Sequence, residues 1–374
     1  MRDANLPTVV VVGALPPPIH GQAAVNAAVA ERLKSLPVSL AVVNTSPGST
    51  EKSISYHLKR VSGVLRAVKE LATRRVARTK TLYMPFQAGN GIVYNFFLAL
   101  ISHLTGFRIV LHHHSSAHTS HRQIFFALLA RLCGRRTIHV ALSAAMAHDL
   151  EEHYGLSGQT VVGSNACHIK VPTTASTAKS PDVLTVGLLA NLNAEKGLAL
   201  AIDAVIIARS QGAAVKLVLA GPLQGPDAVR IAVHASGSLG EALELWGPVS
   251  GSRKEDFFQC IDIFLFPTMY RYEAQPLVIY EAMSCGIPVI STNVGYIPEM
   301  LANVGKIVSL GPSLADRLAA ELLNFHASAP LLVSASADSK REFDRIAKIS
   351  HQEFGWLCEM LVGSQEDSVS GSGT

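Results

Sequence analysis

Glu273 and Glu281 bracket seven residues within 271–292, RYEAQPLVIYEAMSCGIPVIST. Two carboxylates at that spacing serve one ligand only if the chain holds both beside it. The flanking residues indicate how it does so. Residues 263–268 (IFLFPT) are apolar and β-prone, which predicts a buried strand. Pro276 suits the first turn of a helix, where its fixed φ and missing N–H cost nothing. Gly286 suits the helix end and Pro288 forbids continuation, so that PVIST predicts the next strand. Strand, acidic loop, helix and strand make one unit of a parallel α/β sheet. Glu273 then lies in the loop beyond a strand's carboxyl end, and Glu281 on the helix about one turn from its start. Open α/β sheets bind ligands in that crevice. The unpaired N–H groups of a helix start attract phosphate, and a carboxylate accepts hydrogen bonds from hydroxyls. A ligand with both phosphate and hydroxyls is a nucleotide sugar.

Other residues of the right types stand elsewhere. Residues 187–205 (GLLANLNAEKGLALAIDAV) read as a strand, a polar loop ending in Lys196-Gly197, and an apolar-periodic helix. Lys196 offers a point charge to a diphosphate; the plainer reading is a surface lysine in a strand–helix loop. In the first half, PPPIHGQAAVN (16–26) places Gly21 just before a helix, where only glycine lets a backbone approach a ligand closely. The stretch 108–121 (RIVLHHHSSAHTSH) holds five histidines: His112, His113, His114, His118 and His121. Adjacent residues of a strand point to opposite faces, so these side chains cannot all converge on one metal ion. No DxD pair is present, and no GxGxxG follows a strand, which argues against a dinucleotide oxidoreductase.

These groups need a scaffold, and the rest of the chain predicts one. Strand-like and helix-like stretches alternate throughout its 374 residues, which favours α/β layers and two domains of ordinary size. TVVVVGAL, SLAVVNT, TLYMP, RIVLHH, TIHVA and TVVGS form the first series of strands. VLTVGLLA, VKLVLAG, LELWG, IFLFPT and PVIST form the second. Between the series, 166–182 is rich in Thr, Ser, Ala and Pro and predicts a linker. The expected organisation is a domain over 1–165, the linker over 166–182, and a second domain over 183–338. A terminal helix over 339–362 follows, placed to pack back on the first domain, and then a disordered tail over 363–374. Two such halves would face each other across a cleft, a preferred place for a ligand.

The second half resembles the donor domain of family 4 glycosyltransferases, which have the GT-B fold of two Rossmann-like, doubly wound domains. The family has a glycine strand, a loop ending in Lys-Gly, and two glutamates seven residues apart in a phrase close to EGFPLVLLEAMACGLPVV; here the phrase is EAQPLVIYEAMSCGIPVI. The resemblance implies that Glu273 contacts the donor sugar and Glu281 the ribose. It implies that Lys196 and the backbone N–H groups near Leu277 and Val278 face the diphosphate. The family's arginine five residues before the lysine is replaced here by Asn191. The first half is similar more loosely. Gly21 falls where the family's glycine loop approaches acceptor and diphosphate, and Ser143 and Asn165 match its register. The family's strand-end histidine, which orients the sugar, matches His114, with His112 as the rival. The resemblance further implies a retaining, metal-independent transferase that needs no cofactor.

Composition narrows the setting. Five scattered cysteines without CxxC spacing predict reduced thiols and a cytoplasmic location. The N-terminus lacks a signal-peptide layout, and the longest apolar runs, 92–101 and 124–132, are too short to span a bilayer. The net charge of +4 hides an asymmetry: residues 1–165 carry 17 Lys+Arg against 7 Asp+Glu, and the remainder 15 against 21. Lys59, Arg66, Lys69 and Arg74, with Val64, Leu65, Val68 and Leu71 between them, predict a basic amphipathic helix suited to an anionic membrane surface; the alternative is a solvated helix face. Nucleic acid is not an expected partner, since no aromatic interleaving or recognised module accompanies the charge. The expected activity is sugar transfer from a nucleoside diphosphate to a hydroxyl acceptor, such as a polyprenyl-diphosphate-linked saccharide of a bacterial surface polysaccharide. The alternatives are a nucleotide-sugar epimerase of the same fold and a catalytically silent nucleotide-sugar-binding protein.

Overall fold

The computed structural model describes residues 6–17, 21–48, 54–171, 182–301 and 303–363. The chain divides into two compact units, one of residues up to His168 together with those from Ile349 onward, the other Ile169–Lys348. In the first unit the order is β1 (Thr8–Gly13), α1 (Gly21–Lys34), β2 (Ser39–Asn44), α2 (Ile54–Thr73), β3 (Lys80–Pro85), α3 (Ile92–Thr105), β4 (Arg108–His112), α4 (Ile124–Cys133), β5 (Ile138–Ala141), α5 (Ala144–Tyr154) and β6 (Gln159–Val162). The strands form a parallel sheet in the order β2-β1-β3-β4-β5-β6. All six residues of β1, TVVVVG, are buried, as expected of a central parallel strand covered on both faces. Because β1 pairs with β2 on one side and with β3 on the other, the chain changes winding direction there. That switch point opens at the strands' carboxyl ends.

The second unit runs β7 (Leu184–Leu189), α6 (Leu198–Ser210), β8 (Val215–Ala220), α7 (Gly225–Leu239), β9 (Leu243–Gly247), α8 (Ser252–Cys260), β10 (Ile263–Phe266), α9 (Leu277–Ser284), β11 (Val289–Thr292), α10 (Ile297–Leu301), β12 (Lys306–Val308) and α11 (Leu314–Ala327). Its parallel sheet has the order β12-β11-β10-β7-β8-β9. Counted from its own first strand this is the dinucleotide-fold order, and the winding reverses between β7 and β10. All eleven expected strands form. β12 was not expected: three residues carry too little pattern to be seen without the neighbour they pair with.

Helix α12 (Ala329–Val362) starts ten residues before the expected 339 and contributes to both units. Its early part anchors in the second, where Ser339 Oγ donates to the Ile287 carbonyl at 2.9 Å. Its last turns bury Leu357 and Leu361 among Val9, Val11, Val29, Tyr83 and Val140 of the first. Ser350 Oγ donates to the Ser164 carbonyl at 2.6 Å and accepts from the Cys167 N–H at 2.9 Å. The expected linker start at 166 is therefore corrected. Residues Asn165–His168 form a 3-10 turn with Ala166 buried, and the terminal helix holds the Cys167 N–H through Ser350. Most of the remaining linker, 172–181, and the tail from 364 lie outside the described residues.

Candidate active site

In the second unit, the loops after β7, β10 and β11 converge at the switch point. The β7 loop turns back at Lys196-Gly197. Gly197 has φ +77°, and a Cβ there would fall 2.0 Å from the Pro267 carbonyl oxygen, so no other residue lets this loop lie against the β10 loop. Asn193 Oδ1 accepts from the Lys196 N–H at 2.9 Å, and the Met269 N–H donates to the Glu195 carbonyl at 2.7 Å, fixing the two loops together. Lys196 then reaches Glu273: its Nζ forms an ion pair with Glu273 Oε1, which also accepts from Thr268 Oγ1 at 3.2 Å. The ammonium lies 4.8 Å from the Tyr270 ring centroid, a cation–π contact. The Glu273 side chain is only 9% exposed and that of Lys196 24%. The β11 loop closes the other side, where Gly295, at φ +54°, passes so near that a Cβ would sit 1.8 Å from the Glu273 carbonyl oxygen.

Helix α9 begins just beyond. Pro276 is its extended N-cap residue, and Leu277 and Val278 are its first two residues. Their N–H groups belong to the turn that has no intrahelical acceptor. Glu281 lies one turn in, and its Oε1 is 2.6 Å from Lys254 Nζ on α8. Lys254 carries no signal of its own in the sequence. It sits in SRKED, which looks like any solvated charge run, and 27 residues separate it from its partner. Asn191 is exposed in the β7 loop. The structure thus brings Lys196, Glu273 and the start of α9 together, with Glu281 and Lys254 paired on the adjoining helices.

The histidines of the first unit have separated roles. His112 closes β4 inside the core, with Nδ1 2.7 Å from Tyr83 Oη. Burial, and then the neighbouring His114 and His168, hold its pKa well below the usual imidazole range. His113 points the other way: Nδ1 is 2.8 Å from His118 Nε2, and Nε2 is 3.2 Å from His139 Nδ1. This chain of three rings packs on Phe86 and Phe126. Burial pushes His118 down to about 3 and His139 to about 4, so the rings are neutral near pH 7. His114 lies past the strand end, half-buried, with its ring centroid 4.0 Å from that of His112. Of the two candidates, His112 is sealed in the core and His114 is half-buried past the strand end. Gly21 is the exposed first residue of α1; the loop residues 18–20 before it lie outside the described residues. Ser143 caps α5, accepting from the Met146 N–H at 3.2 Å. Among the described residues no group of three or more His, Cys, Asp or Glu is placed to hold a metal ion. All five cysteines stand outside any disulfide.

Helix α2 departs from the expected amphipathic arrangement. Leu71 is buried, but Leu65 faces outward, and Leu58 and Val61 do the same. Arg74 is not a free cation: it pairs with Glu70 at 2.7 Å and donates to Ser39 Oγ at 2.9 Å. The helix turns one apolar stripe inward, with Leu71 buried and Val64 and Val68 partly buried, and a second one outward.

Two parallel α/β units with these strand orders are the architecture of the GT-B fold. Residues 180–327, most of the second unit, match the family model described as Glycosyl transferases group 1. The chain is 29% identical over 184 residues to the amylovoran biosynthesis glycosyltransferase AmsK of Erwinia amylovora, which covers 46% of this chain and 44% of that protein. It is 32% identical over 94 residues to the O-antigen chain mannosyltransferase B of Escherichia coli, 25% of this chain and 21% of that one. The matches thus span less than half the length of these relatives. Among solved structures, Anabaena HepE in complex with UDP and glucose superposes with a TM-score of 0.64 at 15% identity, over 94% of this chain and 99% of that one. Sucrose-phosphate synthase of Thermosynechococcus elongatus gives 0.69 at 15% identity, over 96% and 100%.

Proposed function

We propose that the protein moves a sugar from a nucleoside diphosphate to a hydroxyl of a lipid-linked saccharide, such as one on polyprenyl diphosphate, during assembly of a bacterial surface polysaccharide. The observation that carries this reading is the Lys196–Glu273 ion pair at the β7/β10 switch point, one loop away from the start of α9, in a group 1 domain. The relatives named for amylovoran and O-antigen synthesis support the setting, and the UDP complex of HepE supports the donor class.

In this reading Glu273 accepts hydrogen bonds from the donor sugar and Glu281 from the ribose. Lys196 and the N–H groups of Leu277 and Val278 neutralise the diphosphate, a fixed electrostatic device that needs no metal ion. Asn191 lies on the same loop where the family carries an arginine, so Lys196 is the main cation there. His114 orients the sugar, and Gly21 opens the first unit's helix start to acceptor and phosphate. The acceptor oxygen bonds to the anomeric carbon as the carbon–oxygen bond to the diphosphate breaks, and the acceptor's proton passes to a leaving-phosphate oxygen on the same face. The anomeric configuration is retained. The work is done in the cytoplasm, at the inner face of the plasma membrane. Among the described residues no single helix is long and apolar enough to cross a membrane.

The test is a panel of nucleotide sugars incubated with purified protein and polyprenyl-diphosphate-linked acceptors. Transfer with an unchanged anomeric configuration and indifference to a chelator are expected, with Glu273→Ala inactive. Full transfer by Glu273→Ala would overturn the site. Isomerised sugar without transfer would overturn the reaction class.

A further inference from the structure

We propose that the outer face of helices α2, α3 and α4 is a membrane-inserting surface: its apolar side chains enter the interfacial region of an anionic phospholipid bilayer and the surrounding cations bind the headgroups. This rests on the lipid-linked acceptor proposed above and supplies the means by which the first unit meets it.

Helix α3 is apolar on both sides. Leu98, Ala99 and Ser102 face the sheet, with the buried Asn95 among them. On the opposite side Val93, Phe97, Leu100 and Leu104 follow at intervals of four, three and four, one straight stripe along a helix. All four are exposed, Phe97 by 58% and Leu104 by 71%. Helices α2 and α4 pack on either side of α3. α2 adds the exposed Leu58, Val61 and Leu65, and α4 adds Ile124, Phe125 and Leu128, with Phe125 63% exposed. A soluble protein leaves single apolar residues on its surface, but rarely three adjacent helices with matching apolar faces.

Charge selects the occupant. Between residues 54 and 142 there are thirteen Lys and Arg and one acidic residue, Glu70, which Arg74 already pairs. Lys59, Arg66 and Lys69 are exposed on α2, Arg75 and Arg78 just after it, and Arg131, Arg135 and Arg136 at the end of α4 and beyond. Apolar stripes set among exposed cations, in a stretch with a single acidic residue, match an anionic bilayer, into which apolar groups insert while headgroups hold the cations. A second copy of the same face would set cations against cations.

The unit's own switch-point pocket adds an independent reason. It is walled by Arg60 and Val64 of α2 and by Tyr94, Asn95 and Leu98 of α3, with Gly13 at its base. The Arg60 guanidinium lies 4.8 Å from the Tyr94 ring centroid and 3.3 Å from Gln87 Oε1. Two of the helices that carry apolar outer stripes, α2 and α3, therefore also line this small, mostly apolar pocket. A lipid whose tail stays in the bilayer presents its phosphate and sugar beside that pocket.

Flotation of the full chain with vesicles of phosphatidylcholine, with and without phosphatidylglycerol, tests this. The parent protein is expected to float with the anionic vesicles and to remain partly bound at about 1 M salt, where the Debye length is only about 3 Å. F97S/L104S/F125S, all at exposed positions, is expected to lose at least tenfold of the salt-resistant binding and to keep its melting temperature and its nucleotide-sugar affinity in solution. K69Q/R135Q/R136Q is expected to lose the preference for phosphatidylglycerol. A parent protein that floats with neither vesicle, or a triple apolar variant that floats like the parent at high salt, overturns the proposal. So does a parent dimer in sedimentation that the apolar variant converts to monomer. Calorimetry with nucleotide sugars separates the two readings: a parent that floats but binds no donor sinks the proposed function alone, and one that binds donor but does not float sinks only the membrane surface.

Discussion

Lys196→Met keeps most of the lysine stem and removes its charge, which isolates what the Lys196–Glu273 pair does. Glu273 is nearly buried and has two side-chain partners, the Lys196 ammonium and the Thr268 hydroxyl. Taking one partner from a fully buried pair costs about 3–5 kcal/mol. Here the Thr268 bond survives and the lysine head keeps some solvent, so screening brings the expected loss to about 2 kcal/mol. For a unit of this size each kcal/mol moves Tm by about 2–4 °C, so a fall of about 4–8 °C is expected. Adding Glu273→Gln removes the stranded charge and is expected to restore most of that fall. Donor binding behaves differently. A charge-assisted hydrogen bond contributes about 1.5–3 kcal/mol, so losing the cation weakens Kd for the nucleotide sugar by about 10- to 100-fold. The double substitution does not recover it. Calorimetric melting and titration with donor on the parent, single and double variants provide both readouts. A Lys196→Met protein with the parent's Tm and donor Kd refutes the reasoning. Equal loss of donor binding without any rescue of Tm in the double variant refutes the electrostatic account of the pair.

Gly295→Ala forces a Cβ into the Glu273 carbonyl at a positive φ. It is expected to cost about 2–4 kcal/mol and to lower kcat along with Tm, since Glu273 must move. Lys254→Ala breaks a half-exposed pair, so stability should change by no more than about 1 kcal/mol, while KM for the donor rises several-fold as Glu281 loses the group that holds it; an unchanged KM removes Lys254 from the site. Acid should destabilise the first unit through its buried rings. With folded values of about 3 for His118 and about 4 for His139, the folded state stays neutral while the unfolded chain takes up protons below its ordinary pKa near 6.5. Stability is therefore full above about pH 6.5 and falls as pH drops toward 4. It falls by about 1.4 kcal/mol per unit for each histidine. Tm measured from pH 7 to pH 5 should fall steeply for the parent and less steeply for His139→Phe.

The C-terminal half was legible because its signals are local. A strand, an acidic loop, Pro276 at the helix start and Gly286 at its end all lie within thirty residues of one another. Periodicity and turn chemistry therefore placed Glu273 and Glu281 without knowledge of the fold. The same holds for Lys196-Gly197. What such signals could not supply was who meets whom. Lys254 reaches Glu281 only because the fold brings α8 and α9 within side-chain reach of each other. Gly295 looks like any turn glycine until the β11 loop is packed on Glu273.

The histidine run shows the same division in the first half. Alternation along β4 separates the faces of successive side chains, and that much follows from the sequence. Which ring is sealed against Tyr83, which joins His118 and His139, and which stays at the strand end depends on β3, β5 and the loop beyond β4. For helix α2 the sequence predicts a basic amphipathic helix, either on an anionic membrane surface or as a solvated face. Tertiary packing kept Leu71 inside, left Leu58, Val61 and Leu65 outside, and took Arg74 out of the free charge. By itself the sequence determined the alternating elements, the two-unit order and the residue types at the candidate site, because propensity and spacing act within one turn or one strand. The tertiary structure decided the ion pairs, the sealed histidines and the apolar outer face of α2–α4, because burial and pairing depend on groups far apart in the chain.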